Sequence, residues 1–275
     1  MSTSTLTHRR ARTGRAPQVT WPRVLRSEWI KLSSLRSTRI TLAVSFVLMA
    51  GVGVLTSAIT AANWSSMGMG QRATLDPATT VLGGYQFAQL AVGILGVLAV
   101  SNEYSSGMIR ATLTAVPTRL PVLWAKAALF AAVTFATMTV ASFIGFFAGG
   151  SVLSGKHLDL SLSDPAMLRA VIGAGLYLAV IGLLGVALGS LLRSTAGAIS
   201  SLVGILMLLP LLGSLLGTSF KDHVAPYLPN NAGSAIMTTH QVANVLHPWT
   251  GFAVMCAWAA AALAGAAYGL VRRDA

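Results

Sequence analysis

The chain carries very little charge for its length. Only 9% of its 275 residues are charged, whereas 54% are hydrophobic. Soluble domains usually contain about a quarter charged residues, spread over a water-facing surface. This scarcity excludes a soluble domain as the bulk of the chain and predicts that most residues face lipid or other helices.

Cysteine is almost absent, since Cys256 is the only one. A single cysteine excludes an intramolecular disulfide and leaves the redox compartment undetermined. A cleavable signal peptide is not expected either. The basic leader is long, and the first apolar run, of about 22 residues, exceeds an ordinary signal-peptide core.

A functional phosphate-binding loop is also lacking. The stretch Gly150–His157 resembles a Walker A motif until its last position, where His157 replaces the Ser or Thr that binds Mg²⁺. No β-strand is expected before it. The chain is therefore predicted to bind no cofactor itself.

Long apolar runs dominate what is present. A membrane-spanning helix needs about 20 apolar residues, and these runs are too long for strands and lack the alternation of a membrane barrel. We predict an all-α polytopic membrane protein whose domain 40–271 contains six spans, near residues 40–62, 81–101, 123–149, 168–191, 196–218 and 250–271.

The centres of these spans contain no ionisable residue. Glu103, Arg169 and Arg193 fall at span ends, where contact with headgroups is the ordinary expectation. A proton- or sodium-coupled carrier normally needs a buried carboxylate, and an intramembrane hydrolase needs a catalytic set. Neither class is favoured. Metal binding by three external histidines is a minor alternative, at His223, His240 and His247.

The net charge of +12 is unevenly distributed, because nearly half of the basic residues precede Ile40. Residues 1–19 are predicted to be a disordered basic leader and 272–275 a short tail. With both termini in the cytoplasm, the basic loops fall on that side, as the positive-inside rule requires. The predicted location is the plasma membrane, and the predicted contacts of the basic segments are lipid headgroups rather than nucleic acid.

Residues 20–39 are predicted to form an amphipathic helix in the headgroup plane. Tryptophans and leucines lie toward one side of this helix, and arginines and serines lie largely opposite. The helix is either a simple anchor or a lever that joins a cytoplasmic partner to the spans. Its candidate residues are Trp21, Arg26, Glu28, Trp29, Lys31 and Arg36.

The segment between spans 2 and 3 is the longest and most polar internal cytoplasmic stretch. Gly107 permits a tight turn, and Pro117 ends a short predicted helix. This stretch resembles the cytoplasmic loop of ABC-2 type transporter permeases, although Met108 stands where that family often has Thr. The matching residues are Glu103, Tyr104, Gly107, Ile109, Arg110, Thr112, Pro117, Arg119 and Lys126.

The resemblance extends over most of the chain after about residue 20. Residues 27–37 are similar to the family's N-terminal helix, residues 227–233 resemble the segment before the last span, and His247, Pro248 and Trp249 suit actinobacterial members. It implies the permease half of an exporter that is powered by a separate ATP-binding cassette subunit.

In such an exporter the ATPase subunit binds ATP and Mg²⁺, and a second permease copy or homologous half completes a dimer. The resemblance implies that the ATPase docks on the loop between spans 2 and 3, and that this chain is not an enzyme. The implied docking residues are Asn102, Glu103, Tyr104, Ser105, Gly107, Arg110, Thr112, Pro117 and Arg119.

Two further interpretations stay open at this point. The polar segment 219–249 either enters the membrane to cap the outward exit or packs as an ordinary loop. A membrane sensor or assembly protein that recruits cytoplasmic partners through its basic leader is the alternative to a permease.

Overall fold

The computed structural model describes residues 20–107, 119–156, 158, 160–240 and 244–272. Within these residues the chain is helical and contains no β-strand, which confirms the predicted all-α class. The helices are α1 (Trp21–Ser34), α2 (Arg36–Ala62), α3 (Met69–Thr74), α4 (Pro77–Val81), α5 (Tyr85–Ser105), α6 (Arg119–Ser154), α7 (Pro165–Leu192), α8 (Thr195–Val203), α9 (Leu209–Leu215), α10 (Thr218–His223), α11 (Pro229–Ser234) and α12 (Pro248–Arg272).

Six helical stretches are long and apolar enough to cross a membrane. They are α2, α5, α6, α7, the stretch Thr195–Gly213 that begins with α8, and α12. These stretches contain the predicted spans 1 to 4 and 6 almost completely, whereas the fifth is not one regular α-helix. A π-helical turn, Gly204–Leu208, separates α8 from α9, next to Pro210, which has no N–H for the helical ladder.

Helix α7 forms the centre of the bundle. It packs against α5, α6 and α12, and 83% of its most apolar window is buried. The backbones of α5 and α7 touch directly, since a Cβ atom at Gly185 would lie 2.2 Å from the carbonyl oxygen of Gly93. In lipid the hydrophobic effect does not drive helices together, so close backbone packing of this kind supplies the van der Waals contact that holds them.

The N-terminal helix is shorter than predicted. The expected helix covers residues 20–39, but α1 ends at Ser34 because Leu35 adopts an extended conformation with φ −74° and ψ 116°. Residues 36–39 instead form the first turn of α2. The break lets α1 lie at an angle to the first span and contact α6.

The segment before the last span packs into the bundle. It contains α10, α11 and two 3₁₀ turns, Ala225–Tyr227 and Ala235–Met237. The 3₁₀ turn Ala235–Met237 and α11 lie against α7 and α12, and Ala232, Ile236 and Met237 are fully buried. This part of the polar segment is therefore a component of the core rather than a surface loop.

Candidate functional site

Helix α1 contacts the bundle through the face that carries Val24 and Glu28, and not through the side that carries its tryptophans. Val24 packs with Val122 and Ala125 of α6, and Glu28, one turn further along, is only 1% exposed. Trp21 and Trp29 are about half exposed, at 53% and 50%. The tryptophan side is thus available to lipid, and the side that carries Glu28 is docked.

Four charged side chains meet where α1, α5 and α6 come together, and we call them the charge cluster: Glu28, Lys31, Glu103 and Lys126. The Lys126 ammonium lies 2.6 Å from Oε2 of Glu28 and 2.9 Å from Oε1 of Glu103. The Lys31 ammonium lies 2.7 Å from Oε1 of Glu28 and 3.1 Å from Oε1 of Glu103. Each lysine therefore bridges both carboxylates, and these are the only two glutamates in the chain.

The cluster is largely shielded from water. The Glu28, Glu103 and Lys126 side chains are 1%, 9% and 8% exposed, and Lys31 is 26% exposed at the edge. Removing one member of a buried ion pair leaves an uncompensated charge and costs about 3–5 kcal/mol. Because its charges balance, the cluster is an electrostatic link between three helices.

The pKa values of the two α1 residues reflect this pairing. Burial acts to raise the pKa of Glu28, but Lys126 and Lys31 outweigh it, so the pKa lies below the ordinary value. Burial likewise acts to lower the pKa of Lys31, and Glu28 and Glu103 together raise it above its ordinary value. Both residues are therefore charged near neutral pH.

The chain path explains why these residues meet. Glu28 and Lys31 are one turn apart on α1. Glu103 is in the last turn of α5, and Lys126 is in the third turn of α6, so consecutive antiparallel spans place both at the same end of the bundle. Docking of α1 then closes the cluster.

A second contact ties the end of α5 to the rest of the bundle. Arg193 caps α7 in the left-handed conformation, with φ 53°. Its guanidinium lies 5.3 Å from the ring centre of Tyr104, and Nη2 is 3.4 Å from the carbonyl oxygen of Gly269 in α12. This cation–π geometry links the Glu103–Tyr104 pair to α7 and α12.

The predicted docking residues are only partly within the described chain. Asn102 and Ser105 are exposed, Glu103 is buried and Tyr104 is half-buried. Gly107 has φ 71° and ends α5, as a tight turn requires. Arg119 is the first residue of α6, and Arg110, Thr112 and Pro117 lie outside the described residues.

The predicted interfacial residues separate into two groups. Glu28 and Lys31 belong to the charge cluster, whereas Trp21, Arg26, Trp29 and Arg36 are exposed. In the sequence, Lys126 matches a position of the ABC-2 loop pattern, but its ion pairs could not be predicted from that match. The detectable signal was that both glutamates and two of the four lysines of this apolar chain lie in the interfacial helix or at the ends of spans 2 and 3 that face the same side of the membrane.

The opposite end of the bundle is held by two charged residues. The Asp76 carboxylate accepts hydrogen bonds from the backbone N–H and the hydroxyl of Thr239, at 3.0 Å and 2.7 Å. Arg169 donates to the carbonyl oxygens of Thr238, at 2.6 Å, and Ile236. The expected headgroup contact of Arg169 is thus replaced by contacts that fasten the segment before α12.

A buried polar group joins the same segment to α5 and α7. The Tyr177 hydroxyl contacts the side-chain amide of Gln89 and, at 2.8 Å, that of Asn230 in α11. A phenol has one proton to donate and can also accept. Both amide oxygens face this hydroxyl, which donates its one proton to them, so α5, α7 and α11 meet at one buried polar group.

The histidines do not form a metal site in the described part of the chain. Nδ1 of His223 lies 3.1 Å from the carbonyl oxygen of Ser219. No group of three His, Cys, Asp or Glu side chains with ligand spacing occurs among the residues that the structure describes.

No protein-family model matches the chain, and no curated protein matches it. The class therefore follows from the helices themselves. Six long apolar helices in one bundle define a multi-pass helical membrane protein.

Proposed function

We propose that the chain is the permease subunit of an ATP-driven ABC-2 type exporter in the plasma membrane, with both termini cytoplasmic. The observation that carries the proposal is the charge cluster, in which one buried network joins α1, α5 and α6. It begins at Glu103, at the start of the segment that resembles the family's docking loop.

The cluster supplies a physical route for force. A separate ATP-binding subunit docks on the segment that follows Glu103, and it alone binds ATP and Mg²⁺. Displacement of that segment moves Glu103 against Lys126 of α6 and Lys31 of α1, since each pair lies within 3.1 Å. Because the network is buried and tightly paired, the three helices move together rather than separately.

The translocation pathway lies between this chain and a second copy or a homologous half. At the outer end, the segment with α11 closes the exit. Its support is the set of contacts that fasten it, from Asp76, Arg169 and Tyr177. Opening the exit requires these contacts to be exchanged, whereas the apolar spans need no ionisable group for coupling.

Co-purification tests the partner directly. The tagged chain is expressed with a candidate ATP-binding cassette subunit from the same organism, and the molar ratio of the two is measured after solubilisation. Gly107→Val is expected to lower the ratio at least several-fold, because valine disfavours the φ of 71°. Arg110→Ala is expected to do the same by removing a docking charge, and Gly269→Ala, in open space at the end of α12, is the control.

The membrane-sensor alternative predicts a different result. If the chain only recruits cytoplasmic proteins through residues 1–19, deletion of those residues abolishes partner binding and the Gly107→Val variant retains it. A permease gives the opposite pattern.

A further inference from the structure

The fifth span consists of two halves that pack very differently. Its first half, α8, lies against α5 and α7, and Ala198 and Leu202 are fully buried there. Leu202 fits over Gly93 so closely that a Cβ atom at Gly93 would lie 2.6 Å from Cδ2 of Leu202. This half of the span is therefore fixed to the bundle.

The second half, α9, packs on little of the bundle. Its main contacts among the described residues are the π-helical turn Gly204–Leu208 and α10. Leu212 and Leu215 are 54% and 77% exposed. In lipid these side chains exchange one apolar neighbour for another when α9 tilts, so the hydrophobic effect does not oppose the movement.

The junction between the two halves has a weakened hydrogen-bond ladder. At the end of the π-helical turn, the N–H of Leu209 donates to the carbonyl oxygen of Gly204, five residues earlier. Pro210 has no N–H to donate, and a Cβ atom at Gly204 would meet nothing within 4 Å. Proline and π-helical turns are the usual causes of sharp helix kinks, so bending is concentrated at this junction.

The π-helical turn is itself held in place. Leu206, within the turn, is only 1% exposed, and the turn contacts α11. Asn230 of α11 is hydrogen-bonded to Tyr177 of α7, at 2.8 Å. The pivot is therefore anchored on both sides, whereas the helix beyond it is not.

Helices α9 and α10 are joined into one unit, which we call the α9–α10 arm (residues 209–223). The Phe220 ring of α10 lies over Gly213 of α9, where a Cβ atom would be 2.5 Å from Cε1 of the ring. Beyond α10, Pro226 is buried, so the arm is attached at both ends. Asp222 accepts a 2.9 Å hydrogen bond from Asn244 at an exposed position, where water competes for it.

We propose that the α9–α10 arm is a hinged strap, which tilts about the π-helical turn and the 3₁₀ turn that contains Pro226 while α8 stays fixed. In hinge motions a few residues at element ends absorb the change in backbone angles. The hinge needs only the packing of the fifth span, so it does not depend on the chain's being a permease.

Double electron–electron resonance on the full chain in lipid nanodiscs tests the hinge. Cys256, the only cysteine, is replaced by alanine, and nitroxide labels are attached to Val140→Cys in α6 and Leu212→Cys in the arm. Both positions are 54% exposed, so each label replaces a lipid-facing side chain. The distance distribution is expected to be about twofold wider than for a control pair, Val140→Cys with Ser200→Cys in α8.

Two variants are expected to stiffen the junction. Pro210→Ala restores an N–H to the helical ladder, and Gly204→Ala favours regular helix without a clash. Each should narrow the Leu212 distribution to the width of the control pair. Pro165→Ala is the matched control, because Pro165 stands in the first turn of α7, where an N–H is not needed, and it should leave the width unchanged.

Three results would overturn the proposal. A Leu212 distribution as narrow as that of Ser200 would show that α9 is as fixed as α8. A wide distribution that both Pro210→Ala and Gly204→Ala leave unchanged would place the movement outside this junction. Equal narrowing by Pro165→Ala would show that the effect is not specific to the π-helical turn.

Discussion

Lys126 in α6 and Glu28 in α1 are joined by a 2.6 Å ion pair, although nearly a hundred residues separate them in the sequence. Glu28 is the most buried charged residue of the chain's described part, at 1% exposure. An interfacial helix that served only as an anchor would not need to bury a carboxylate. The pair fixes α1 to the third span and makes the position of α1 depend on α6.

Replacing Lys126 is expected to destabilise the fold strongly. Lys126→Met leaves Glu28 and Glu103 facing each other with only Lys31 to compensate them, at a cost of about 3–5 kcal/mol. Thermal unfolding in detergent, followed by tryptophan fluorescence, measures the effect. Lys156→Met removes a lysine outside the charge cluster and is expected to leave the midpoint nearly unchanged. Equal midpoints for the two variants would show that the cluster does not stabilise α1.

The ion pair between Lys126 and Glu28 is also expected to show energetic coupling. A double-mutant cycle with Glu28→Gln and Lys126→Met should give an interaction energy of about 1–3 kcal/mol, as for groups in one network. The cycle uses the unfolding midpoints of the wild type, both single variants and the double variant. Additive effects would mean that the two side chains stabilise the chain independently.

The free energy of unfolding is expected to fall at acidic pH, because Glu28 becomes protonated. Its pKa is below the ordinary value of 4.5, so the unfolded chain takes up the proton first as the pH falls. The stabilisation is then fully present above that value and is lost as the pH drops through the lower folded-state pKa. Unfolding midpoints between pH 7 and pH 3 should decline less steeply in Glu28→Gln than in wild type, and parallel curves would contradict this.

The contact between α5 and α7 is expected to exclude even one methyl group. Gly185→Ala places a Cβ 2.2 Å from the carbonyl oxygen of Gly93, and overpacking of this kind costs about 1–3 kcal/mol. Gly269→Ala is the matched control, because its Cβ meets nothing within 4 Å. The control should be neutral or slightly stabilising, since alanine favours helix. A neutral Gly185→Ala would show that the helices separate easily.

The spans can be predicted well from the sequence, because a membrane-spanning helix is one uninterrupted run of apolar residues. The fifth span departs from regular helix at Gly204–Leu208, and the local signal for this change is Pro210, which average hydrophobicity does not register. The break at Leu35 is likewise not visible in the sequence, since residues 20–39 form one amphipathic pattern.

The candidate site was predicted less completely. The amphipathic pattern directs attention to Trp21 and Trp29, which are exposed, whereas the docked face is centred on Glu28. The docked face is determined by the pairing of Glu28 with lysines that include Lys126 of α6. These residues are distant in the sequence, so no local pattern predicts the pairing. Docking of an ATPase on Arg110, Thr112 and Pro117 stays a prediction, because these residues lie outside the described chain.

The most direct measurement is ATP hydrolysis by the co-purified complex in lipid nanodiscs, compared with the ATP-binding subunit alone. We expect faster hydrolysis in the wild-type complex than by the ATP-binding subunit alone. In Glu103→Gln that increase is expected to be lost while the subunits still co-purify, because one charge of the buried network is removed. Asp164→Asn, which keeps the helix cap of α7 at the opposite end of the bundle, should behave as wild type. An unchanged rate in Glu103→Gln, or no stimulation by the wild-type chain, would contradict the proposal that force enters the membrane helices through this cluster.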